Sequence, residues 1–245
     1  MQSLEKGIDL LRVIADAPGP LRLSEISTKS GMSRSKAHAY LTSLVRTGLA
    51  FQDEASGQYS LGEAAIQFGM SALRRLDILR AGRAIMEQLH QSVPETSFLA
   101  SWSQRGPLIV FKIESPDDSV FALQVGAAIS FFPSASGRVF MSYLPRERWE
   151  HLLPKDMAKA RLEREIADRI SNTRIEGIAS VDPTTLPSHS VLAAPVFDHE
   201  GSIKAAMCIV GLRGRFDKSI GGKAGRALRK AANKMSEQLG YRPTK

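Results

Sequence analysis

The chain has 245 residues, 43% of them hydrophobic, a formal net charge of +8 and one cysteine. That length and apolar content exclude wholesale disorder and allow two modest domains, and a lone cysteine excludes an intrachain disulfide, as suits a reducing cytoplasm. The charge is a weak pointer to a polyanionic partner, because residues 213–245 hold ten Lys or Arg against two acids, a net +8, and the rest of the chain balances to zero.

Neither an apolar signal core nor a stretch of membrane-spanning length is present, so a soluble cytoplasmic protein without a membrane partner is expected. Leu4, Ile8, Leu11 and Ile14 recur at helical spacing, with Ser3 as N-cap, and "DAPGPL" (16–21) ends that helix. Ser24 precedes a short second helix with Leu23 and Ile26 inward. Gly31 suits a turn of positive φ, and a third helix starts near Ser33 with Ala37, Tyr40, Leu41 and Leu44 on one face. Gly48 ends it, and residues 49–62 alternate around "EASG" as a hairpin. Three helices and a hairpin in this order make a winged helix-turn-helix.

The third helix opens with Ser33, Arg34, Ser35 and Lys36, where most helices carry carboxylates to suit the dipole. Cations and hydroxyls there cost the isolated helix some stability but fit DNA phosphates and base edges. The pattern predicts Ser33 as N-cap and Arg34, Ser35, Lys36, His38 and Ala39 as DNA-facing. Arg22 is expected to reach phosphates from the approach to the second helix, and Gln52 and Gln58 to reach them from the wing. The same four residues match a Ser-x-x-Lys acyltransferase motif, but neither companion motif is present.

Residues 63–76 read as a linker helix with Ile66, Met70 and Leu73 inward. A helix at 79–92 follows, then strands "TSFLASW", "PLIVFKIE" and "VFALQV", a helix after "SASG" and a charged helix near 160–175. The strand pair "VLAAPVFD" and "SIKAAMCIVGL" flanks the turn "HEG". The last helix turns Ala224, Ala227, Leu228, Ala231, Met235 and Leu239 inward. Antiparallel strands ringed by helices predict an α+β ligand-binding domain. The expected domains are 1–62, the linker 63–76, and 77–245.

The chain resembles the isocitrate lyase regulator (IclR) family of bacterial transcription factors over almost its full length. "SLEKGIDLLRVI", "LRLSEISTKSGMSRSKAHAYLTSLVRTGLA" and "GQYSLGEAAIQFG" resemble that family's opening helix, helix-turn-helix, and wing with linker. "FFPSASGRVFMSYL" resembles its Ala-Ser-Gly-Lys loop, with Arg138 for Lys, and "VLAAPVFDHEGSIKAAMCIVG" its signature strand pair. The resemblance implies a winged-helix domain, a linker helix that pairs protomers, and a GAF-like effector domain. It also implies homodimers, often paired into dimers of dimers, that bind double-stranded operators, usually as repressors, and answer to a small organic acid. It brings no catalytic residue, metal or cofactor, and leaves RNA polymerase open as a further partner. Family members often carry Arg where Ala39 stands, which shifts expected contacts toward Lys36 or His38. Thr184 and Ser188 also depart from the family's usual acidic residue and Gly.

Carried over by that resemblance, the effector would sit among Ser134, Ala135, Ser136 and Gly137, the strand residues Val191, Cys208 and Val210, the loop residue Asp182, and a wall of Phe121 and Ile129. Cys208 and Val210 replace frequent hydroxyl residues, so an acid with an apolar or aromatic body is expected. The rival is a cysteine-dependent hydrolase pairing Cys208 with His189 or His199. Against it, Cys208 lies in an apolar run, and "PSASG" lacks the first Gly of a nucleophile elbow. The five histidines show no metal spacing. An RNA-binding tail is a second rival, but it lacks aromatics that stack on bases.

Overall fold

The first residues already show how charge placement supports a helix. α1 (Gln2–Ala15) carries Glu5 in its first turn and Arg12 in its last, both in the sense the dipole favours. The computed structural model describes residues 2–74, 77–116 and 123–242, and the chain divides into two units, Met1–Arg75 and Leu76–Lys245.

In the first unit, α2 (Leu23–Ser30) is entered through a carboxylate: the Arg22 N–H donates to Glu25 Oε2 at 2.7 Å. Gly31, at φ +67°, closes α2 in the left-handed region that a Cβ disfavours. α3 (Arg34–Arg46) follows at once. β1 (Ala50–Gln52) and β2 (Tyr59–Leu61) form an antiparallel wing, with Gln52 opposite Tyr59. Leu21 adds a bridge to Tyr59, closed by hydrogen bonds of 2.9 and 2.7 Å. Leu10, Ile14, Ile26, Ala37, Leu41 and Tyr59 fill the shared core. α4 (Glu63–Arg74) leaves this unit from the wing.

Three expectations need correcting here. α1 starts at Gln2, so Ser3 lies within it, and the buried face is Gly7, Leu10 and Ile14. Leu4 is 76% exposed, and Ile8 is exposed too. Ser24 lies inside α2, whose cap residue is Arg22. On α4, Ile66 and Met70 point outward, as does Phe68; the Leu73 side chain lies outside the described residues. Periodicity marks an apolar face but not what covers it, and within this unit α4 meets chiefly β1.

In the second unit, β3 (Thr96–Ser103), β4 (Gly106–Ile113), β5 (Ala179–Val181), β6 (His189–Phe197) and β7 (Ile203–Leu212) form one antiparallel sheet in the order β4-β3-β7-β6-β5. Its residues alternate between two cores. Phe98, Ala193, Cys208 and Val210 face α6 (Ala135–Tyr143), which α7 (Lys159–Glu176) backs through Leu162 and Ile166. Leu99 faces α5 (Asp77–Ser92) and α8 (Lys223–Gln238): a Cβ on Gly82 would lie 2.8 Å from Leu99 and 2.9 Å from Met235. In α8, Ala224, Leu228, Ala231 and Met235 are buried as expected, while Ala227 is half-buried and Leu239 follows the helix. Of the expected strand at 120–125, residues 120–122 lie outside the described residues, and Leu123–Val125 are not strand.

Candidate DNA-binding face and ligand site

α3 separates its two tasks by face. Ala37, Leu41 and Leu44 are buried, and Tyr40 packs partly against the same core. Ser33, Arg34, Ser35, Lys36, His38 and Ala39 are all exposed. Ser33 is the N-cap residue, but its hydroxyl makes no cap hydrogen bond, contrary to expectation. The first turn of α3 contains no acid. Lys6 of α1 stands beside Lys36, and through hydrogen-bond contact first and charge repulsion second it holds the Lys36 pKa below the usual lysine value. Sequence reasoning missed Lys6, because only the packing of α1 on α3 brings it to the tip.

Arg22 is exposed at the start of α2. The wing differs from the expected picture. Gln58 is half-buried, and Gln52 Nε2 donates to the Gly57 carbonyl at 3.4 Å. Residues 50–61 contain Asp53 and Glu54 and no Lys or Arg. Asp53 accepts from the Ser56 hydroxyl and N–H, each at 2.7 Å, and these bonds hold its carboxyl below the usual range. An ionised turn of this kind repels phosphate, so the wing offers DNA no cation of its own, unlike the α3 tip.

Of the proposed ligand residues of the second unit, Ile129, Ala135, Val191, Cys208 and Val210 share the core on the α6 side of the sheet, whereas Asp182 accepts from Ser190, which alternates with Val191 onto the other face. Ser134 caps α6: its Oγ accepts from the Gly137 N–H at 3.0 Å and donates to the Phe131 carbonyl at 3.2 Å. Gly137 has no room for a Cβ, which would fall on the Phe131 carbonyl and within 2.9 Å of Ser134 Oγ. Ala135 and Ser136 are buried beside it. Val191 and Val210 are paired across β6 and β7, Cys208 lies opposite Ala193, and all share one core cluster with Ala135 and partly buried Ile129. The Gly137 N–H is thus engaged within the chain, which reduces the donors expected to greet an anion. Asp182 is half-buried and already engaged, by Lys218 and by Ser190 Oγ at 2.6 Å, and these bonds hold its carboxyl below the usual range. Phe121 lies outside the described residues.

A cavity of about 560 Å³ that sequence reasoning missed lies elsewhere in this unit, lined by Tyr143, Arg174, Phe197, Arg229, Asn233 and Tyr241 among others. Its volume is in the range of small-molecule sites. Its residues come from α6, α7, β6, α8 and the segment beyond α8, a convergence no local pattern announces.

The comparisons with known proteins agree with this architecture. A model of the IclR helix-turn-helix domain matches residues 3–54, and one described as bacterial transcriptional regulator IclR C-terminal matches residues 70–237. The chain belongs to the IclR family of bacterial transcriptional regulators. The glycerol operon regulatory protein of Streptomyces coelicolor is 29% identical over 248 residues, covering 98% of this chain and 97% of that protein. The crystal structure of Pseudomonas aeruginosa HmgR is 30% identical, with TM-score 0.63 and full coverage of both chains. An IclR homologue from Microbacterium hydrocarbonoxydans, solved with 4-hydroxybenzoate, shares the fold at TM-score 0.79 and 18% identity, over 97% of this chain and 98% of that one.

Membership in the IclR family makes this a regulator rather than an enzyme, and the geometry gives the hydrolase no footing. Cys208 is fully buried, and burial pushes its thiol far above the ordinary value. His189 pairs with Leu212, four residues from Cys208 along β7, which at strand rise is about 13 Å. His199 sits in the exposed β6–β7 turn, four residues before Ile203, which itself lies five residues from Cys208 along β7. Among the described residues, no helix is long and apolar enough to cross a membrane.

Proposed function

We propose that this regulator binds a pseudo-palindromic double-stranded operator as a homodimer, or as a dimer of dimers, and acts as a repressor, with RNA polymerase as a further partner at the promoter. In this reading residues 1–62 read DNA, 63–76 link protomers, and 77–245 sense a small organic acid in the cytoplasm. The observation that carries it is the acid-free, cationic entry of α3, exposed on a helix whose opposite face buries Ala37, Leu41 and Leu44. Exposed Leu4, Ile8, Ile66, Phe68 and Met70 support pairing of protomers. The proposed effector site is the Ser134–Gly137 loop with Phe121, Ile129, Asp182, Val191, Cys208 and Val210. The apolar character of Phe121, Ile129, Val191, Cys208 and Val210 favours an acid with an aromatic or aliphatic body, as does the 4-hydroxybenzoate bound by the Microbacterium homologue.

The test is selection of duplexes from a random-sequence pool by the full chain, followed by binding of the enriched duplex to Arg34→Ala/Lys36→Ala. A pseudo-palindrome is expected, with affinity reduced at least roughly tenfold in the variant at an unchanged unfolding midpoint. Equal affinity of variant and wild type overturns the assignment of α3.

A further inference from the structure

α3, α7 and α8 each open on cations with no acid in the first turn, where the helix dipole disfavours them. What sets α8 apart is its imbalance along the whole helix: it holds Lys223, Arg226, Arg229, Lys230 and Lys234 against a single acid, Glu237. Its first turn contains no acid and its last turn no base, so the charges run against the dipole at both ends. Arg226 and Lys230, and Lys230 and Lys234, are like charges four residues apart, a spacing that destabilises a helix. An ordinary solvated helix mixes its charges, as α7 does with five bases and four acids. There Arg169 pairs with Glu165, and Glu163 with Arg146. Among the described residues, no cation of α8 forms a salt bridge within 4 Å; the acid in charge contact is Asp217, whose carboxyl Arg226 helps to hold below the usual range after its bonds to Ser219. Arg226, Arg229 and Lys234 donate only to the Gly221 carbonyl, the Glu176 carbonyl and Gln88 Oε1.

Lys223, Arg226, Lys230 and Lys234 are exposed and fall on one line down the helix, about 16 Å long at helical rise. A shallow groove beside them is lined by Arg226, Arg229, Lys230, Asn233, Lys234 and Glu237. We propose that this face of α8 is a second, sequence-independent surface for double-stranded DNA. It rests on the DNA-binding reading above for its source of DNA: operator binding by the first unit raises the local concentration of flanking phosphates. A protein partner fits less well, because Lys is depleted from protein interfaces and this line carries no apolar anchor. Single-stranded RNA fits less well because no aromatic side chain stands among the cations.

The test uses the full chain, a 40-base-pair random-sequence duplex, and a salt titration. Lys223→Gln/Arg226→Gln/Lys230→Gln removes three charges from exposed positions. The slope of log K against log salt should shrink by about 2–3, at roughly 0.9 per lost phosphate contact. Lys223→Arg/Lys230→Arg should keep the wild-type slope, and both variants the wild-type unfolding midpoint. A wild-type slope and affinity in the Gln variant overturns the proposal, as does tighter α8-dependent binding of a 40-nucleotide single-stranded RNA. Failure of the operator reading is seen separately, as no sequence enriched by the wild-type chain, and leaves the random-duplex measurement interpretable.

Discussion

Gly137 shows how one residue can decide a whole loop. The segment from Phe131 to Ser134 folds back over the start of α6, so the Phe131 carbonyl occupies the space of a side chain at position 137. Gly137→Ala should therefore destabilise the second unit by about 1–3 kcal/mol or more, as overpacking does. Denaturant unfolding monitored by tryptophan fluorescence checks this, since Trp102 and Trp149 both lie in that unit beside Phe131. Stability equal to wild type would mean that the loop relaxes without cost. Cys208 makes the opposite point. Its residue type suggests a nucleophile, yet at zero exposure between β3 and β6 its thiol is packed in the core and held protonated by burial. Replacing it with a bulky residue would strain the core before it blocked a ligand.

At the scale of elements, α4 is the most informative helix. It has an apolar pattern but exposes Ile66, Phe68 and Met70, at 61%, 66% and 49%. Leu4 and Ile8 leave a second apolar surface on α1. Three large exposed apolar groups within five residues mark a surface that needs a cover. Phe68→Glu is expected to weaken self-association by at least roughly tenfold, the effect of losing an aromatic anchor at about 1.4 kcal/mol or more. Sedimentation across a concentration series measures it. Unchanged association, with an unchanged unfolding midpoint, would place the protomer contact elsewhere. Affinity for a two-half-site operator should fall in parallel, because pairing converts the second half-site into an intramolecular event.

For the whole molecule, the proposed regulation would work only if a ligand in the second unit favoured one arrangement of the proposed dimer over another, since equal affinity for both shifts nothing. Two places in the second unit are candidates for the proposed ligand: the Ser134–Gly137 region, and the cavity beside Arg174 and Arg229. Thermal-shift screening with aromatic and aliphatic carboxylates separates them. Ile129→Trp should abolish stabilisation by a hit and Asn233→Trp should leave it intact. The reverse result moves the effector to the cavity near α8.

What the sequence determined by itself is the order and type of the elements. Helical period over Ala37, Leu41 and Leu44, alternation on either side of "EASG", and the turn at "HEG" are local signals carried by neighbouring residues, and all three reappear in the fold. The cationic start of α3 was legible too, because a helix's first turn is a contiguous segment. Strand β5 was not, since three residues hold too little alternation and gain their place by pairing with β6. Tertiary structure alone decided which apolar faces are covered, that Lys6 stands beside Lys36, and that Asp182 is occupied by Lys218 and Ser190. Each of these depends on residues far apart in the chain, and long-range packing rather than any local propensity brings them within a few ångströms of one another.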